Sequence, residues 1–429
     1  MTFLSIVLDK GIVCKNMQKK ELICKCFQRN WDLFYPLQKL IICYSSLLIV
    51  KPKSKKLLRA LFISIVFLGL NIEGFISQSN VKLSSNDSLF GTYAAKTLFF
   101  NETTAYNFIE TQLSFGPRVP GTLSHDECAD WIRDELVDIT DNTMTHNFTI
   151  QKYSEPTYQC QNILGKINPT KENIVIFGAH WDSRNVAEKD TENQSLPIPG
   201  ANDGGSGVAV LLELARVLYA YKDELDCQVW FLFIDAEDQG YSRGMYGLEG
   251  WYWAEGSLAF VNEIDSYYNS SKEMFECFIL LDMVGGTNLQ FIKESRSNEA
   301  LHDSIFDEGV KLGYYEVFPS RPKEMAITDD HVAFDAFGIP VIDLIIDFVE
   351  GEWTYHHTHS DNLENIDIES LKILGQTIES FMKTYYTINK NKDWRKIDLP
   401  ASVYLSITIG SILLAGLIVD FKLRRKKKH

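Results

Sequence analysis

Three continuous apolar runs of this chain are each followed, within a few residues, by side chains that bind metal ions well. The runs cover 173–178, 228–234 and 277–281, and a fourth apolar run covers 339–346. Continuous runs of this length are typical of strands buried on both faces of a largely parallel sheet. In an open α/β sheet the carboxyl ends of parallel strands meet at one edge, where ligands bind. The pattern therefore predicts an α/β fold with a polar site at that edge.

Segments with helical apolar spacing separate the apolar runs and support this fold class. They cover 207–221, 299–313 and 368–386. A Gly- and aromatic-rich segment at 239–257 has neither pattern, and it is long enough to be a functional loop that covers a site.

The polar residues around these runs form a candidate metal centre. Imidazole nitrogens together with carboxylate oxygens are a zinc-type ligand set, and an additional Glu beside a ligand suits a general base. Adjacent carboxylates inside a protein ionise together cheaply only when a cation is near. Each residue alone also has an ordinary explanation, such as a surface ion pair or a helix N-cap. The candidates are His180, Asp203, Glu237, Asp238, Asp282 and His357.

The charge of the chain is unevenly distributed. The net charge is −15 overall, but residues 1–59 carry +9 and residues 420–429 carry +5, so that residues 60–419 carry −29. Nucleic-acid binding needs a basic surface, so the acidic body excludes it as an expected function.

Two apolar segments flank the acidic body, and each adjoins a basic stretch. Residues 401–419 contain no charge and precede a polycationic tail, which predicts a transmembrane helix with the tail in the cytoplasm. An apolar run at 60–70 follows basic residues, as in a signal peptide or an N-terminal anchor. The expected organisation is a basic extension (1–59), a signal or anchor (60–78), a linker (79–104), a zinc-dependent catalytic domain (105–390), a transmembrane helix (400–419) and a basic tail (420–429).

Export of the body is also consistent with the positions of its glycosylation sequons and cysteines. Five sequons fall between the two apolar segments, at Asn86, Asn101, Asn147, Asn193 and Asn269. Four cysteines of the body could form up to two disulfides, with three possible connectivities. They are Cys128, Cys160, Cys227 and Cys277.

Seven motifs, taken together and in order, resemble the zinc aminopeptidase and glutaminyl cyclase superfamily. The resemblance spans about residues 105–385 and implies a three-layer α/β/α fold around a mixed, mostly parallel sheet, with metal at the strand ends. The motifs lie at 115–122, 178–184, 199–218, 233–240, 280–286, 327–331 and 357–361.

The superfamily contains two enzyme classes, and each implies different roles for these residues. Resemblance to the aminopeptidases implies two zinc ions bridged by Asp203, with Glu237 as the base that deprotonates a metal-bound water. The remaining ligands would be His180 with Asp282 on one ion and Asp238 with His357 on the other.

Resemblance to the cyclases implies one zinc ion, which polarises the side-chain amide of an N-terminal Gln. Glu237 would take a proton from the α-amine and return it to the departing ammonia. Asp282 would restrain Glu237 through a shared proton, and Asp329 would hold the leaving amide. The single ion would be held by Asp203, Asp238 and His357.

Three features resemble the cyclases more than the aminopeptidases. The segment 327–331 contains a double acid, Asp329–Asp330, where aminopeptidases usually have one. Asp238 replaces a second Glu, as in bacterial-type cyclases. Trp253 matches an aromatic residue of the cyclase substrate pocket, although it could equally pack within the covering loop.

Two positions depart from the cyclase pattern. His356 stands where cyclases commonly have Trp before the ligand His, with Trp353 three residues earlier. Asp343 stands where some animal cyclases have His. An altered pocket wall would shift substrate choice toward another N-terminal residue or toward hydrolysis.

The sequence thus predicts a membrane-anchored, extracytoplasmic zinc enzyme that acts on peptides or proteins with N-terminal Gln. A di-zinc aminopeptidase and a non-enzymatic, receptor-like ectodomain stay open as alternatives. The number of zinc ions, one or two, separates the two enzyme classes.

Overall fold

A computed structural model describes residues 97–153, 156–349, 351, 353–388 and 393–395. Its centre is a six-stranded sheet with the strand order β1-β2-β4-β3-β5-β8, and a two-stranded sheet pairs β6 with β7. The strands are β1 (Asn142–Ile150), β2 (Tyr158–Ile167), β3 (Asn173–His180), β4 (Gln228–Ile234), β5 (Met274–Asp282), β6 (Lys293–Glu294), β7 (Glu324–Met325) and β8 (Val341–Ile345).

Seven α-helices connect these strands within the described residues. They are α1 (Glu102–Phe115), α2 (Leu123–Ile139), α3 (Gly205–Ala220), α4 (Glu255–Glu263), α5 (Glu299–Lys311), α6 (His331–Phe337) and α7 (Ile368–Tyr385). Short 3₁₀ turns lie at Lys222–Glu224, Ile264–Ser266 and Leu363–Asn365.

The sheet is mixed, as predicted. β4, β3, β5 and β8 are parallel neighbours, whereas β1 and β2 form an antiparallel pair that joins β4 antiparallel. The four apolar runs of the sequence correspond to the four parallel strands. β1 and β2 were not predicted, because β1 (NTMTHNFTI) is largely polar and gives no apolar run.

Both faces of the sheet are buried, which explains the continuous apolar runs. Along β4, Val229, Phe231 and Phe233 belong to the larger core with α1, α2, α3, α5 and α7. The alternate residues Trp230 and Leu232 belong to a second core on the other face, with α4 and α6. The three layers expected of an α/β/α sandwich are therefore present.

The parallel strands carry the site residues to one edge of the sheet. β3 ends at His180, β5 ends at Asp282, and β4 is followed directly by Asp235. Helix α3 lies close against β5, because a Cβ atom at Gly207 would meet the carbonyl oxygen of Leu281 at 2.1 Å. This close approach brings Asp203, which precedes α3, to the same edge.

Several boundaries differ from those expected. The folded body already includes residues of the predicted linker, since the backbone amides of Phe99 and Phe100 donate to Glu379 at 2.8 and 2.9 Å and α1 begins at Glu102. The predicted covering loop is shorter than expected, because α4 begins at Glu255. The other predicted helices agree with α3, α5 and α7 to within two residues.

The disulfides that the four cysteines of the body could form are absent from the described part of the chain. Cys128, Cys160, Cys227 and Cys277 are all buried thiols, and none of them is in a disulfide. Burial raises the pKa of Cys128 and of Cys277 to about 12, so neither thiol ionises at neutral pH.

The export and membrane predictions concern residues that lie mostly outside the described part. The segments 60–78 and 400–419 are outside it, and within the described ranges no helix has both the length and the apolar character needed to cross a bilayer. The asparagines of four sequons, Asn101, Asn147, Asn193 and Asn269, are exposed. Their glycosylation, like the membrane anchorage, stays a prediction.

Candidate metal centre

The first part of the site joins His357 to two carboxylates. His357 Nε2 lies 3.1 Å from Asp238 Oδ1 and 3.7 Å from Asp203 Oδ2, and all three residues are at most 4% exposed. Burial raises the pKa of Asp238 to about 6, helped by the nearby Asp203 and opposed by His357. Two carboxylates thus face one imidazole, which can carry at most one positive charge and cannot neutralise both.

Glu188 supports His357 from the opposite edge of the ring. Glu188 Oε1 is 2.9 Å from His357 Nδ1, and Arg184 donates to both oxygens of the same carboxylate at 3.0 Å. Burial alone would raise the pKa of Glu188, but hydrogen bonds from His357 and Arg184 outweigh it and lower the pKa to about 2. An ionised carboxylate at Nδ1 fixes the tautomer that leaves Nε2 available as a ligand.

The second part of the site is centred on His180. Its Nε2 lies 3.2 Å from both Asp203 Oδ1 and Asp282 Oδ1, and its Nδ1 lies 3.5 Å from Asp182 Oδ1. Ligand atoms of His180, Asp203 and Asp282 all lie within 4.8 Å of one another. Asp203 therefore faces His180 with one oxygen and His357 with the other.

The donor atoms of both parts fit a metal ion. Within the described residues, Asp203 Oδ2 and Asp238 Oδ2 are buried and have no hydrogen-bond partner. Such oxygens are costly to bury unless a cation or a proton satisfies them. Carboxylate oxygens with imidazole nitrogens are also the ligand chemistry that zinc prefers. The structure thus brings the five predicted ligands together, and the number of ions that they hold stays open.

Glu237 lies beside these ligands and is held through its backbone. The amides of Glu237 and Asp238 donate to the two oxygens of Asp182 at 3.0 and 3.1 Å, so that Asp182 fixes the start of the loop after β4. Burial, and then the charges of Asp329 and Asp238, raise the pKa of Glu237 well above its usual range. A carboxyl group with a raised pKa can both accept and return a proton near neutral pH.

Asp329 lies at the same site, in the turn that leads into α6. Its side chain is 2% exposed, and its Oδ1 accepts a hydrogen bond from the amide of Asp330 at 2.6 Å. Burial and the charge of Asp282 raise the pKa of Asp329 to about 7. The structure therefore brings the predicted leaving-group residue within electrostatic reach of Glu237 and Asp282.

Trp253 forms an aromatic wall over the first part of the site. Its ring stacks on that of His357, with centroids 5.9 Å apart and an interplanar angle of 18°. The guanidinium of Arg184 lies on Trp253 as well, 4.6 Å from the ring centroid. Trp251, by contrast, packs on Tyr158 in a separate buried cluster.

Four non-glycine residues at the site have left-handed backbone conformations. Ala236, Ala254, Met283 and His357 have φ values of 58°, 60°, 48° and 58°. The first three adjoin Glu237, Trp253 and Asp282 in the chain. Left-handed backbone is unfavourable for L-residues and accumulates at functional sites, where it directs side chains that regular structure cannot.

The three histidines of the segment 355–361 have different surroundings in the structure. His357 belongs to the first part of the site, whereas His359 pairs with Asp190. His356 Nε2 lies 3.7 Å from Asp203 Oδ2, which makes His356 a further candidate ligand. The other ring nitrogen of His356 contacts Lys189. Trp353 is buried and packs on Tyr355.

Two residues that support the site, Glu188 and Arg184, were not predicted from the sequence. Arg184 belongs to the motif at 178–184, but Glu188 lies in a loop without a motif and becomes visible only in three dimensions.

Comparison with solved structures shows cyclases and an exopeptidase of the same fold. A glutaminyl cyclase from Tannerella forsythia is 34% identical over 67% of this chain and 100% of its own, with a TM-score of 0.61. A Zn-dependent exopeptidase from Parabacteroides distasonis is 33% identical over 66% of this chain and 98% of its own, with a TM-score of 0.60.

Comparison with known sequences gives the same two classes. The glutaminyl-peptide cyclotransferase of Boiga irregularis is 23% identical over 295 residues, which are 63% of this chain and 78% of that protein. Leucine aminopeptidase 1 of Blastomyces gilchristii is 24% identical over 275 residues, 62% of this chain and 66% of its own.

The family model of peptidase family M28 matches residues 162–382. This range begins in β2, ends in α7 and contains every residue of the metal centre described above. The chain therefore belongs to peptidase family M28.

Proposed function

We propose that this protein is a glutaminyl-peptide cyclotransferase, which converts N-terminal Gln of peptides or proteins to pyroglutamate with release of ammonia. The observation that carries the proposal is a second buried acid, Asp329, whose charge raises the pKa of Glu237 at a site where Trp253 stacks on His357. The similarity to solved cyclases at 31–34% identity supports it.

The metal would be held by Asp203, Asp238 and His357, whose buried oxygens and Nε2 fit a zinc ion. When bound, zinc supplies Lewis acidity toward the side-chain amide carbonyl of the substrate. Glu188 orients His357 for this role from Nδ1.

Glu237 moves the proton in this proposal. In cyclisation the α-amine nitrogen forms a bond to the side-chain amide carbon, and the bond from that carbon to the amide nitrogen breaks. Glu237 takes a proton from the amine and delivers it to the departing nitrogen, which leaves as ammonia. The raised pKa of Glu237 suits a group that has to be both base and acid in one cycle.

Asp329 would position the leaving amide in this proposal, because among the described residues its Oδ2 has no hydrogen-bond partner, while Oδ1 accepts from the amide of Asp330. A hydrolase has no leaving group of this kind at the side chain. Asp282 is held by His180 at 3.2 Å. Its sharing of a proton with Glu237 stays part of the proposal.

Trp253 stacks on His357, one of the three proposed ligands, and would be a wall of the substrate pocket. A compact Gln side chain fits under such a wall, whereas a peptidase must leave room for the rest of the chain on the far side of the scissile bond.

The reaction products test the proposal. The purified full-length chain, loaded with zinc, is incubated with a Gln-initiated peptide and, separately, with aminoacyl-anilides. Cyclisation releases ammonia and lowers the mass of the peptide by one ammonia, as seen by mass spectrometry. Release of a free amino acid without ammonia would contradict the proposal.

The alternative of a di-zinc aminopeptidase is favoured by one observation, the compact second group of His180, Asp203 and Asp282. The variant His180→Ala separates the two. It loses one equivalent of metal if a second ion is bound there, and it keeps the metal of His357 if His180 only orients Asp203 and Asp282.

A further inference from the structure

A third group of buried polar side chains includes Asp329 and does not include any of the five candidate ligands described above. It consists of Glu294 in β6, Asp329 in the turn before α6, His331 at the start of α6 and Asp343 in β8. All four side chains are at most 2% exposed. Three separate segments of the chain thus converge on one buried point.

The geometry of the group is that of a ligand set around one imidazole. Glu294 Oε2 lies 3.1 Å from His331 Nε2, and Asp343 Oδ2 lies 3.5 Å from His331 Nδ1. Ligand atoms of Asp329, His331 and Asp343 all lie within 4.8 Å of one another. One nitrogen and two carboxylate oxygens therefore face a common centre.

The atoms around that centre lack hydrogen bonds. Within the described part of the chain, both oxygens of Asp343 and Oδ2 of Asp329 are buried without a hydrogen-bond partner, and Nδ1 of His331 has only Asp343 Oδ2 nearby, at 3.5 Å. A buried carboxylate without a partner is expensive, and two of them beside one imidazole repel each other. These oxygens are satisfied either by protonation or by a bound cation, and a cation can satisfy several of them at once.

Glu294 differs from the other members because its oxygens have partners. It accepts hydrogen bonds from the amides of Arg296 and Ile327, at 2.6 and 3.3 Å, and from the hydroxyl of Ser295 at 3.1 Å. Glu294 is therefore anchored on the outer side of His331, while Asp329 and Asp343 lie on the inner side.

This arrangement repeats the plan of the first part of the metal centre. There, Glu188 lies at one ring nitrogen of His357 while two aspartates lie near the other. A carboxylate on the outer nitrogen of a metal-binding histidine is the usual companion of such a ligand, since it fixes the tautomer and the ring orientation. Glu294 has the corresponding position at His331.

We propose that Asp329, His331 and Asp343 form an additional binding site for a divalent metal ion. The mixed nitrogen and oxygen donors select a zinc-type ion over Mg²⁺ or Ca²⁺, which prefer oxygen ligands alone. A carboxylate has about four lone-pair positions, so Asp329 can bind the ion and still accept an N–H from a substrate. The ion would hold Asp329 in place.

The wild-type protein provides a test without any substitution. The full-length chain is loaded with zinc, freed of loosely held metal and crystallised, and anomalous scattering is measured at the zinc edge. A peak between His331, Asp329 and Asp343, separate from the peak at His357, is the expected result. Density for the three side chains without an anomalous peak would overturn the proposal.

Variants give an independent measurement through zinc per chain in solution. Asp343→Asn is nearly isosteric, and it should lower the zinc content by one equivalent while the ion at His357 stays bound. Asp238→Asn is the matched control, which removes the other ion, so the double variant should lose two equivalents. Equal zinc content in wild type and folded Asp343→Asn would contradict the site. Metal content gives this answer whether the chain cyclises Gln or hydrolyses peptides.

Discussion

Glu237 and Asp238 are adjacent in sequence but have different surroundings. Their amides share the carboxylate of Asp182, which fixes the backbone, while the side chain of Asp238 reaches His357 at 3.1 Å. The pKa of Glu237 is raised by burial and then by Asp329. The two neighbouring acids therefore divide the work, with one suited to bind metal and the other to carry a proton.

The variant Glu237→Gln tests this division. It keeps the shape of the side chain and the backbone contacts with Asp182 but removes the group that takes the proton. We expect turnover of Gln-peptides to fall by at least about 100-fold, the usual contribution of a general base. Zinc content should stay at the wild-type value. Turnover near wild type would refute the role of Glu237 as the base.

Trp253 and Tyr252 are a matched pair for testing the aromatic wall. Trp253 stacks on His357, whereas the neighbouring Tyr252 is 71% exposed. We expect Trp253→Ala to raise KM for Gln-peptides about 5-fold, since an aromatic contact contributes about 1 kcal/mol beyond buried area. Tyr252→Ala should leave KM within about twofold of wild type. Equal effects of the two substitutions would argue that the wall does not contact substrate.

The site residues differ in how readily they can be predicted from the sequence. The six residues first selected, from His180 to His357, adjoin apolar runs or lie in motifs, and the structure gathers all of them. Glu188 and Glu294 were missed because each supports a histidine that is distant in the chain, His357 by 169 residues. Asp343 was noted only as a departure from a pattern, and its unpartnered carboxylate became evident only once β8 was placed in the sheet.

At the scale of elements, the contact between α3 and β5 determines where Asp203 lies. Gly207 permits this contact, since a Cβ atom there would approach both the Leu281 carbonyl oxygen at 2.1 Å and the side chain of Ala179 at 2.9 Å. Because the first obstacle is backbone, no change of rotamer can relieve it.

We therefore expect Gly207→Ala to destabilise the fold by about 1–3 kcal/mol, the usual cost of overpacking a core. Displacement of α3 should also weaken zinc binding, because Asp203 precedes this helix by two residues. Chemical denaturation and zinc titration measure the two effects. An unchanged unfolding midpoint would show that α3 and β5 can separate without cost.

The four parallel strands could be predicted from the sequence because both of their faces are buried. The four parallel strands lie under helices on both faces, so they must be apolar throughout and are visible as runs. β1 is at the edge of the sheet, is polar on one face and pairs only with β2. Its formation depends on a partner strand, which local sequence does not reveal.

At the scale of the whole molecule, Lys166 makes stability depend on pH. Its side chain is 7% exposed and lies over the ring of Trp230 at 4.0 Å, with the ammonium donating to the carbonyl of Tyr267. Burial lowers the pKa of Lys166 from 10.5 to about 8. The folded state thus gives up this proton at a lower pH than the unfolded state does.

The sign of the pH effect follows from proton binding. Between pH 8 and 10.5 the unfolded chain binds more protons at Lys166, so stability increases as pH rises through this window, by as much as about 3 kcal/mol. In Lys166→Met this contribution is absent. Urea unfolding of both proteins across this pH window should show that the free energy of unfolding of the wild type increases relative to that of the variant as pH rises. Parallel curves would contradict the lowered pKa.

Arg184 joins parts of the molecule that perform separate tasks. It holds Glu188, donates to the carbonyl oxygens of Asp238 and Gly240 at 2.8 and 3.1 Å, and lies against Trp253. A single guanidinium thereby connects Trp253, the proposed substrate wall, with Glu188 and Asp238 beside the proposed metal ligand His357. Binding free energies at coupled sites are reciprocal, so in the proposed enzyme any increase in zinc affinity caused by a substrate contact with Trp253 would be matched by an equal increase in substrate affinity caused by zinc.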